Sequence, residues 1–226
     1  MDMAVLERIL LSDDTYMPLI TLLVYLVLWN QINRKEFLLF IYLVITILFT
    51  AITNVTGFYK IHNLPLYHFY SLFEVAFVSY YLIKKLPVKT FKRNLYVLIN
   101  TGFVLFWLIN ILFLEPLSAF NSNTSSLSNM IILVLCMYYM LELSKSDDIL
   151  NFQKSPSFWI VSAFFVYSAT SILVFAVYKY YILSNMSAEG TKVYSIMHVP
   201  IIAKFIMLSV GLLCYKRPSS QRLLLL

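Results

Sequence analysis

The sequence predicts an all-α integral membrane protein: a bundle of seven transmembrane helices with its amino terminus outside and its carboxyl terminus in the cytoplasm. Of its 226 residues, 61% are hydrophobic and only 12% are charged, whereas soluble domains carry about 25% charged residues. The apolar residues form long runs, and lysine and arginine are concentrated between alternate runs. Lipid is the solvent in which a chain can leave so much apolar surface uncovered.

Seven apolar runs are long enough, or nearly so, to cross the ~30 Å hydrocarbon core of a bilayer as helices. The first run is the shortest, with Asp13 and Asp14 before it and Arg34 and Lys35 after it. Helices are predicted because lipid cannot satisfy the backbone hydrogen bonds of an open strand. In chain order the runs are Tyr16–Asn30, Phe37–Thr56, Tyr67–Ile83, Leu95–Leu114, Leu127–Ser144, Ser157–Leu183 and Tyr194–Tyr215.

The orientation follows from the positions of lysine and arginine, which are enriched in cytoplasmic loops. With the amino terminus outside, the inner segments hold twelve basic residues and the outer segments hold three. An odd number of spans keeps the basic loops on one side. The inner basic residues are Arg34, Lys35, Lys84, Lys85, Lys89, Lys92, Arg93, Lys145, Lys154, Lys216, Arg217 and Arg222.

The chain is predicted to have an outer interfacial segment (1–15), a transmembrane domain (16–215) and a cytoplasmic tail (216–226). The net charge of +6 reflects loop topology, so we expect the lipid bilayer as a partner and no nucleic acid. We expect no attached soluble domain. Cys136 and Cys214 lie in apolar runs and predict no disulfide framework.

Polar residues recur at helical spacing within several runs, and such stripes mark faces that are turned away from lipid. Interhelical hydrogen bonds are one explanation, and a polar central cavity is the other. The stripes include Tyr42, Thr46, Thr50 and Thr53 in the second run; Tyr67, Tyr70, Ser71, Glu74 and Tyr81 in the third; Asn100, Trp107 and Asn110 in the fourth; Ser168 and Ser171 in the sixth; and Tyr194 and His198 in the seventh.

Two charged residues, Glu74 and Lys204, fall at similar depths in the third and seventh runs. An unpaired charge in mid-bilayer costs about 2.5–3.5 kcal/mol on insertion scales, so we expect the two to face each other directly or through water. Three interpretations stay open: a pair that sets helix register, a site that binds a ligand or proton, and a lysine that is a covalent attachment point.

The third interpretation rests on a resemblance. An acid in span three (Glu74), a lysine midway along span seven, and the dipeptide Ala203-Lys204 resemble the retinal-binding rhodopsins. That resemblance implies a retinal Schiff base on Lys204 with Glu74 as its counterion. The sequence departs from the family because no arginine precedes the acid and span six has no Trp-x-x-Tyr-Pro motif.

A second resemblance covers three short stretches: the run from Leu66 to Glu74, Ser157-Phe158-Trp159-Ile160, and Ile196-Met197-His198. These stretches look like those of a group of small seven-helix membrane proteins of Bacteroidota that are suspected of sensory roles. This resemblance implies a bacterial inner membrane location and transfers no chemistry.

The histidines allow an alternative from another functional class, an intramembrane enzyme that acts on lipid. Glu74 would be its acid/base, with His68 or His198 beside it, and a metal bound by all three is geometrically possible. A single histidine in the last span is fewer than a zinc hydrolase requires, so hydrogen bonds to neighbouring groups are the simpler interpretation.

The favoured hypothesis is a sensory or signal-relaying protein without catalytic residues. A small ligand or lipid would bind in the outer half of the bundle. A cytoplasmic or membrane signalling partner would detect helix movement through the basic loop Lys84–Arg93. The predicted ligand-binding residues are Glu74, Lys204, His68, Tyr70, His198 and Asn110.

Overall fold

The computed structural model describes residues 13–32, 36–86, 92–145, 152–184 and 186–216. Every regular element in these ranges is helical, which confirms the all-α prediction. The predictions for residues 1–12, for Arg34, Lys35 and Lys89, and for the tail after Lys216 lie outside the described residues.

Apart from α8, the helices coincide with the apolar runs, because an uninterrupted apolar run has no other way to satisfy its backbone in lipid. Two of them are subdivided: Leu28 separates α1 from α2, and a π-helical turn, Asn110–Leu114, ends α5. The elements are α1 Asp13–Val27, α2 Trp29–Ile32, α3 Phe37–Phe58, α4 Leu64–Lys85, α5 Lys92–Ile109, α6 Ser122–Ser144, α7 Pro156–Leu183, α8 Ser187–Ser195 and α9 His198–Leu213, followed by a 3₁₀ turn, Cys214–Lys216.

Five helical segments are long and apolar enough to cross a membrane, which supports the prediction of a membrane protein. Helix α1 is apolar but shorter. Helix α4 has 22 residues but carries Glu74, Lys84 and Lys85, and it is not among the five. The count of seven spans and their orientation therefore stay predictions. The five are Phe37–Phe58, Lys92–Leu114, Ser122–Ser144, Pro156–Tyr181 and Lys192–Leu213.

The main core is formed by residues of α1 to α4, α6, α7 and α9; α7 packs most extensively against α6 and α9, and α1 packs against α9. Gly211 allows α9 to approach the start of α7, because a Cβ at this position would lie 2.9 Å from Ile160 Cγ1 and 3.1 Å from the carbonyl oxygen of Pro156. Helix α5 is peripheral, and its Leu98 and Leu105 are exposed. Such apolar exposure is typical of a surface that lipid covers.

The bundle has two ends, named here after an acidic residue at each. At the Asp14 end, α1, α4, α6 and α9 begin and α3 finishes. At the Glu36 end, α3 begins, and α4 and α9 finish. The charged and polar residues discussed below belong to one of these ends or to the cavity between them.

A polar cavity that contains Glu74 and Lys204

A cavity of about 120 Å³ extends into the bundle from the Asp14 end. The polar stripes of α3 and α4 face it, because their helical spacing places these side chains on the side turned toward the bundle interior. Helices α1, α6, α7, α8 and α9 complete its wall. The polar residues that line it are Asp14, Thr46, Thr50, Thr53, Tyr67, Tyr70, Ser71, Glu74, Asn121, Ser125, Asn129, Tyr167, Tyr194 and Lys204.

Contacts between α3 and α4 hold one wall of the cavity in place. The Thr46 Oγ1 and the Tyr70 hydroxyl lie 3.1 Å apart and share a hydrogen bond. The ring of Phe49 stacks on that of Tyr70 with their centroids 4.1 Å apart. The Tyr70 hydroxyl is therefore directed into the cavity with little freedom to turn away.

Lys204 is 4% exposed, and aromatic rings surround its amine. Its Nζ lies 3.8 Å from the centroid of the Tyr167 ring and 4.8 Å from that of Phe205. It also donates a long hydrogen bond of 3.4 Å to the Tyr42 hydroxyl. The faces of aromatic rings attract cations, an effect worth about 2 kcal/mol when water is excluded, so these rings position the ammonium group.

Glu74 lines the same cavity and is 7% exposed. Among the described residues, salt bridges join Lys85 to Glu36, Lys145 to Glu142 and Lys179 to Glu115, so Glu74 and Lys204 share a cavity without direct contact between their charges. No described residue donates a hydrogen bond to the Glu74 carboxylate. Its acceptor capacity is thus available to the cavity.

The predicted ligand-binding residues separate into two groups. Tyr70, Glu74 and Lys204 line the cavity. His68, Asn110 and His198 do not belong to its lining; the first two are buried elsewhere, and His198 is exposed at the start of α9. The structure therefore assembles half of the predicted set, and a role in ligand binding stays a prediction for all six.

His68 is held by the loop that precedes α6. Its Nε2 lies 3.1 Å from the carbonyl oxygen of Ala119, and its own carbonyl accepts a hydrogen bond from Trp107 Nε1. Within the described ranges, no group of three histidine, cysteine, aspartate or glutamate residues could hold a metal ion. The metal-binding arrangement of His68, His198 and Glu74 is not formed.

Asn110 belongs to a polar cluster around Glu115 at the Asp14 end. The Glu115 carboxylate accepts hydrogen bonds from Ser122 Oγ at 2.6 Å, Lys179 Nζ at 2.9 Å and the backbone N–H of Asn123 at 2.9 Å. Burial by itself raises the pKa of Glu115, but these hydrogen bonds outweigh burial and hold its pKa below the usual value. The π-helical turn thus places Asn110 in a structural ion-pair network.

A third buried acid, Glu36, lies immediately before α3 and is fully buried. It accepts hydrogen bonds from the Tyr81 hydroxyl at 2.7 Å, the Tyr215 hydroxyl at 2.6 Å and Lys85 Nζ at 2.5 Å. In the sequence, Glu36 ends the predicted inner segment that holds Arg34 and Lys35, between the first two apolar runs. The structure makes it the centre of contacts among α3, the end of α4 and the turn after α9.

Two of the aromatic residues around Lys204, Tyr167 and Phe205, were not predicted from the sequence. Tyr167 was not singled out, although it lies four residues before Ser171 and so falls on the same face of α7 as that polar stripe. That spacing was the available signal for it. Phe205 offered no signal, because phenylalanine is common throughout the apolar runs.

Comparison of the chain with protein-family models, curated proteins and solved structures finds no match.

Proposed function

We propose that this chain is a seven-span protein of a bacterial inner membrane that binds a small ligand in its outer half and relays binding to the cytoplasmic side. The amino terminus and the Asp14 end face outward, and the Glu36 end faces the cytoplasm. The resemblance to seven-helix proteins of Bacteroidota and the excess of basic residues in the inner segments support this assignment.

One observation carries the relay: the same two helices connect the cavity with the Glu36 cluster, which consists of Glu36, Tyr81, Lys85 and Tyr215. Helix α4 carries Glu74 at the cavity and Tyr81 and Lys85 at the cluster. Helix α9 carries Lys204, and the turn after it supplies Tyr215. At ~1.5 Å per residue, Glu74 lies about 10 Å from Tyr81 and about 16 Å from Lys85 along α4, and Lys204 lies about 16 Å from Tyr215 along α9.

A ligand that contacts both Glu74 and Lys204 changes the forces between α4 and α9. Two helices joined at their far ends cannot separate or rotate without disturbing the shared acceptor, Glu36. The basic segment that follows Lys85 begins at this cluster, so a partner bound there detects the change. A ligand shifts the balance between two arrangements only by its difference in affinity for them.

Cysteine labelling tests the outward-facing cavity. Thr50 lines the cavity, whereas Leu48 on the same helix is exposed on the apolar surface. In a background of Cys136→Ser and Cys214→Ser, a membrane-impermeant methanethiosulfonate added to the outside of cells should modify Thr50→Cys and spare Leu48→Cys. Modification of Ile61→Cys in the loop after α3 shows that the reagent has access to that side.

Labelling of Ile61→Cys without labelling of Thr50→Cys contradicts a cavity that is open to the outside. Protection of Ile61→Cys in intact cells, with labelling in inverted vesicles, refutes the proposed orientation.

Spin labels test the relay. Lys84→Cys and Leu213→Cys place labels on exposed positions at the Glu36 end of α4 and α9. Removing the cavity charge with Lys204→Met should shift the distance distribution between the labels. Lys145→Met, which removes an exposed lysine, is the matched control and should leave it unchanged. Identical distributions in all three proteins exclude the relay and leave cavity binding intact.

A further inference from the structure

Two of the charged residues that line the cavity, Glu74 and Lys204, have unused hydrogen-bonding capacity of opposite kinds. The Lys204 ammonium has three N–H donors and only one long hydrogen bond, to Tyr42. The Glu74 carboxylate accepts no hydrogen bond from any described residue. Charges that are removed from water need partners, because each leaves a favourable hydration shell behind. Both groups are therefore ready to bind complementary charges.

Aromatic rings, not a carboxylate, hold the lysine in position. The ring of Tyr167 covers one side of the ammonium group at 3.8 Å, and a ring face accepts no strong hydrogen bond. Cation–π attraction fixes the location of a cation while most of its N–H donors stay available. An anionic group that enters the cavity meets a fixed, partly unpaired cation.

Size and charge together limit what fits. The cavity of about 120 Å³ is of the same order as an engineered protein cavity of about 150 Å³ that binds one benzene molecule. A ligand with only a carboxylate would satisfy Lys204 and leave Glu74 without a partner, and a simple ammonium ion would do the reverse. A compact molecule with one anionic and one cationic group gives both Lys204 and Glu74 a partner.

We propose that the cavity binds a small zwitterion of the α-amino acid class with no side chain or a short one, its carboxylate on Lys204 and its ammonium group on Glu74. This inference rests on the proposed function, because it needs a cavity that is open to the outside. The neighbouring hydroxyl of Tyr70 and amide of Asn129 offer further hydrogen bonds. The Oδ1 of Asn129 is buried and has no partner among the described residues.

Isothermal titration calorimetry on the full chain in lipid nanodiscs tests the proposal, with glycine and alanine as probes. Acetate and methylammonium carry one charge each, and tryptophan carries both charges on a much larger molecule. Glycine or alanine should bind at concentrations at which acetate, methylammonium and tryptophan give no heat of binding. This comparison uses the wild-type protein only, so it does not depend on the folding of a variant.

Variants then assign the two contacts. Lys204→Met and Glu74→Gln should each weaken glycine binding by roughly 10- to 100-fold, the range expected for loss of a hydrogen bond to a charged group. Lys145→Met and Glu142→Gln remove an exposed ion pair at the far end of α6 and should leave the affinity unchanged. Lys204→Arg keeps the cation and should retain more affinity than Lys204→Met.

Two results would overturn the proposal of a zwitterionic ligand. In the first, acetate or methylammonium binds as tightly as glycine. In the second, neither glycine nor alanine binds, although Thr50→Cys is labelled from outside. The second result removes the ligand class and keeps the outward-facing cavity. Failure of Thr50→Cys to react removes the proposed function itself, so the two failures are distinguishable.

Discussion

Replacing Glu36 should destabilise the bundle more than any surface substitution, because three donors depend on its carboxylate. Glu36→Ala leaves the Lys85 ammonium and the hydroxyls of Tyr81 and Tyr215 without their acceptor. Removing one member of a buried ion pair typically costs about 3–5 kcal/mol. A lost hydrogen bond to a charged group costs about 1.5–3 kcal/mol. We therefore expect Glu36→Ala to lower the free energy of unfolding by about 3–5 kcal/mol and Tyr215→Phe by about 1.5–3 kcal/mol.

Equilibrium unfolding in mixed micelles, with sodium dodecyl sulfate as the denaturant, measures these free energies. The double variant Glu36→Ala with Tyr215→Phe should lose less than the sum of the single losses, since Tyr215→Phe removes nothing further once the acceptor is gone. Tyr180→Phe is the matched control, because Tyr180 is 66% exposed. Additive losses, or a Glu36→Ala protein as stable as Tyr180→Phe, would refute the argument that Glu36 joins α3, α4 and the turn after α9.

Three further predictions concern other parts of the molecule. Because the pKa of Glu115 is held below its usual 4.5, its contribution to stability is complete above about pH 4.5 and is lost as the pH falls through the lowered pKa. The difference in unfolding free energy between wild type and Glu115→Gln should therefore shrink below pH 4.5. A difference that is constant from pH 7 to pH 3 contradicts a lowered pKa for Glu115. Gly211→Ala should lower the free energy of unfolding by about 1–3 kcal/mol, because the added Cβ meets Ile160. Gly102→Ala has nothing within 4 Å of its added Cβ, so it should leave that free energy unchanged or raise it by up to about 1 kcal/mol. Equal losses for the two variants in the same unfolding assay contradict the close approach at Gly211. Retinal added to membranes from cells that express the protein should give no visible absorption band. The 120 Å³ cavity is smaller than the ~300 Å³ of the smallest pockets for drug-sized ligands. A band that Lys204→Ala abolishes would support the rhodopsin-like hypothesis.

The helices could be predicted from the sequence with small errors at their ends. The run Tyr67–Ile83 became α4, Leu64–Lys85, and the run Leu127–Ser144 became α6, Ser122–Ser144. Apolar runs predict helices well because the requirement to satisfy each backbone group acts on the segment itself. The π-helical turn and the separate helix α8 carried no such signal, because both depend on hydrogen bonds formed in particular turns.

The candidate site could be predicted only in part. The spacing of Thr46, Thr50 and Thr53 predicted a shared polar face, and these residues do line the cavity. The positions of Glu74 and Lys204 along their runs predicted similar depths in the bundle, and both residues line the cavity. The sequence predicted that the two charges face each other directly or through water; the structure has no direct salt bridge between them and places the lysine amine against the ring of Tyr167. The distance between two side chains depends on how each helix is rotated about its axis, and hydropathy gives no information about that rotation.

Composition and periodicity alone determined that this chain is helical, rich in segments suited to a membrane, and polar along selected helix faces, because each of these properties belongs to a segment and its solvent. Only the tertiary structure decided the partner of each buried charge: Glu36 meets Lys85, Glu115 meets Lys179, and Lys204 meets aromatic rings. Electrostatic and hydrogen-bond energies fall steeply over a few ångströms. Partner choice therefore follows from how the helices pack and rotate.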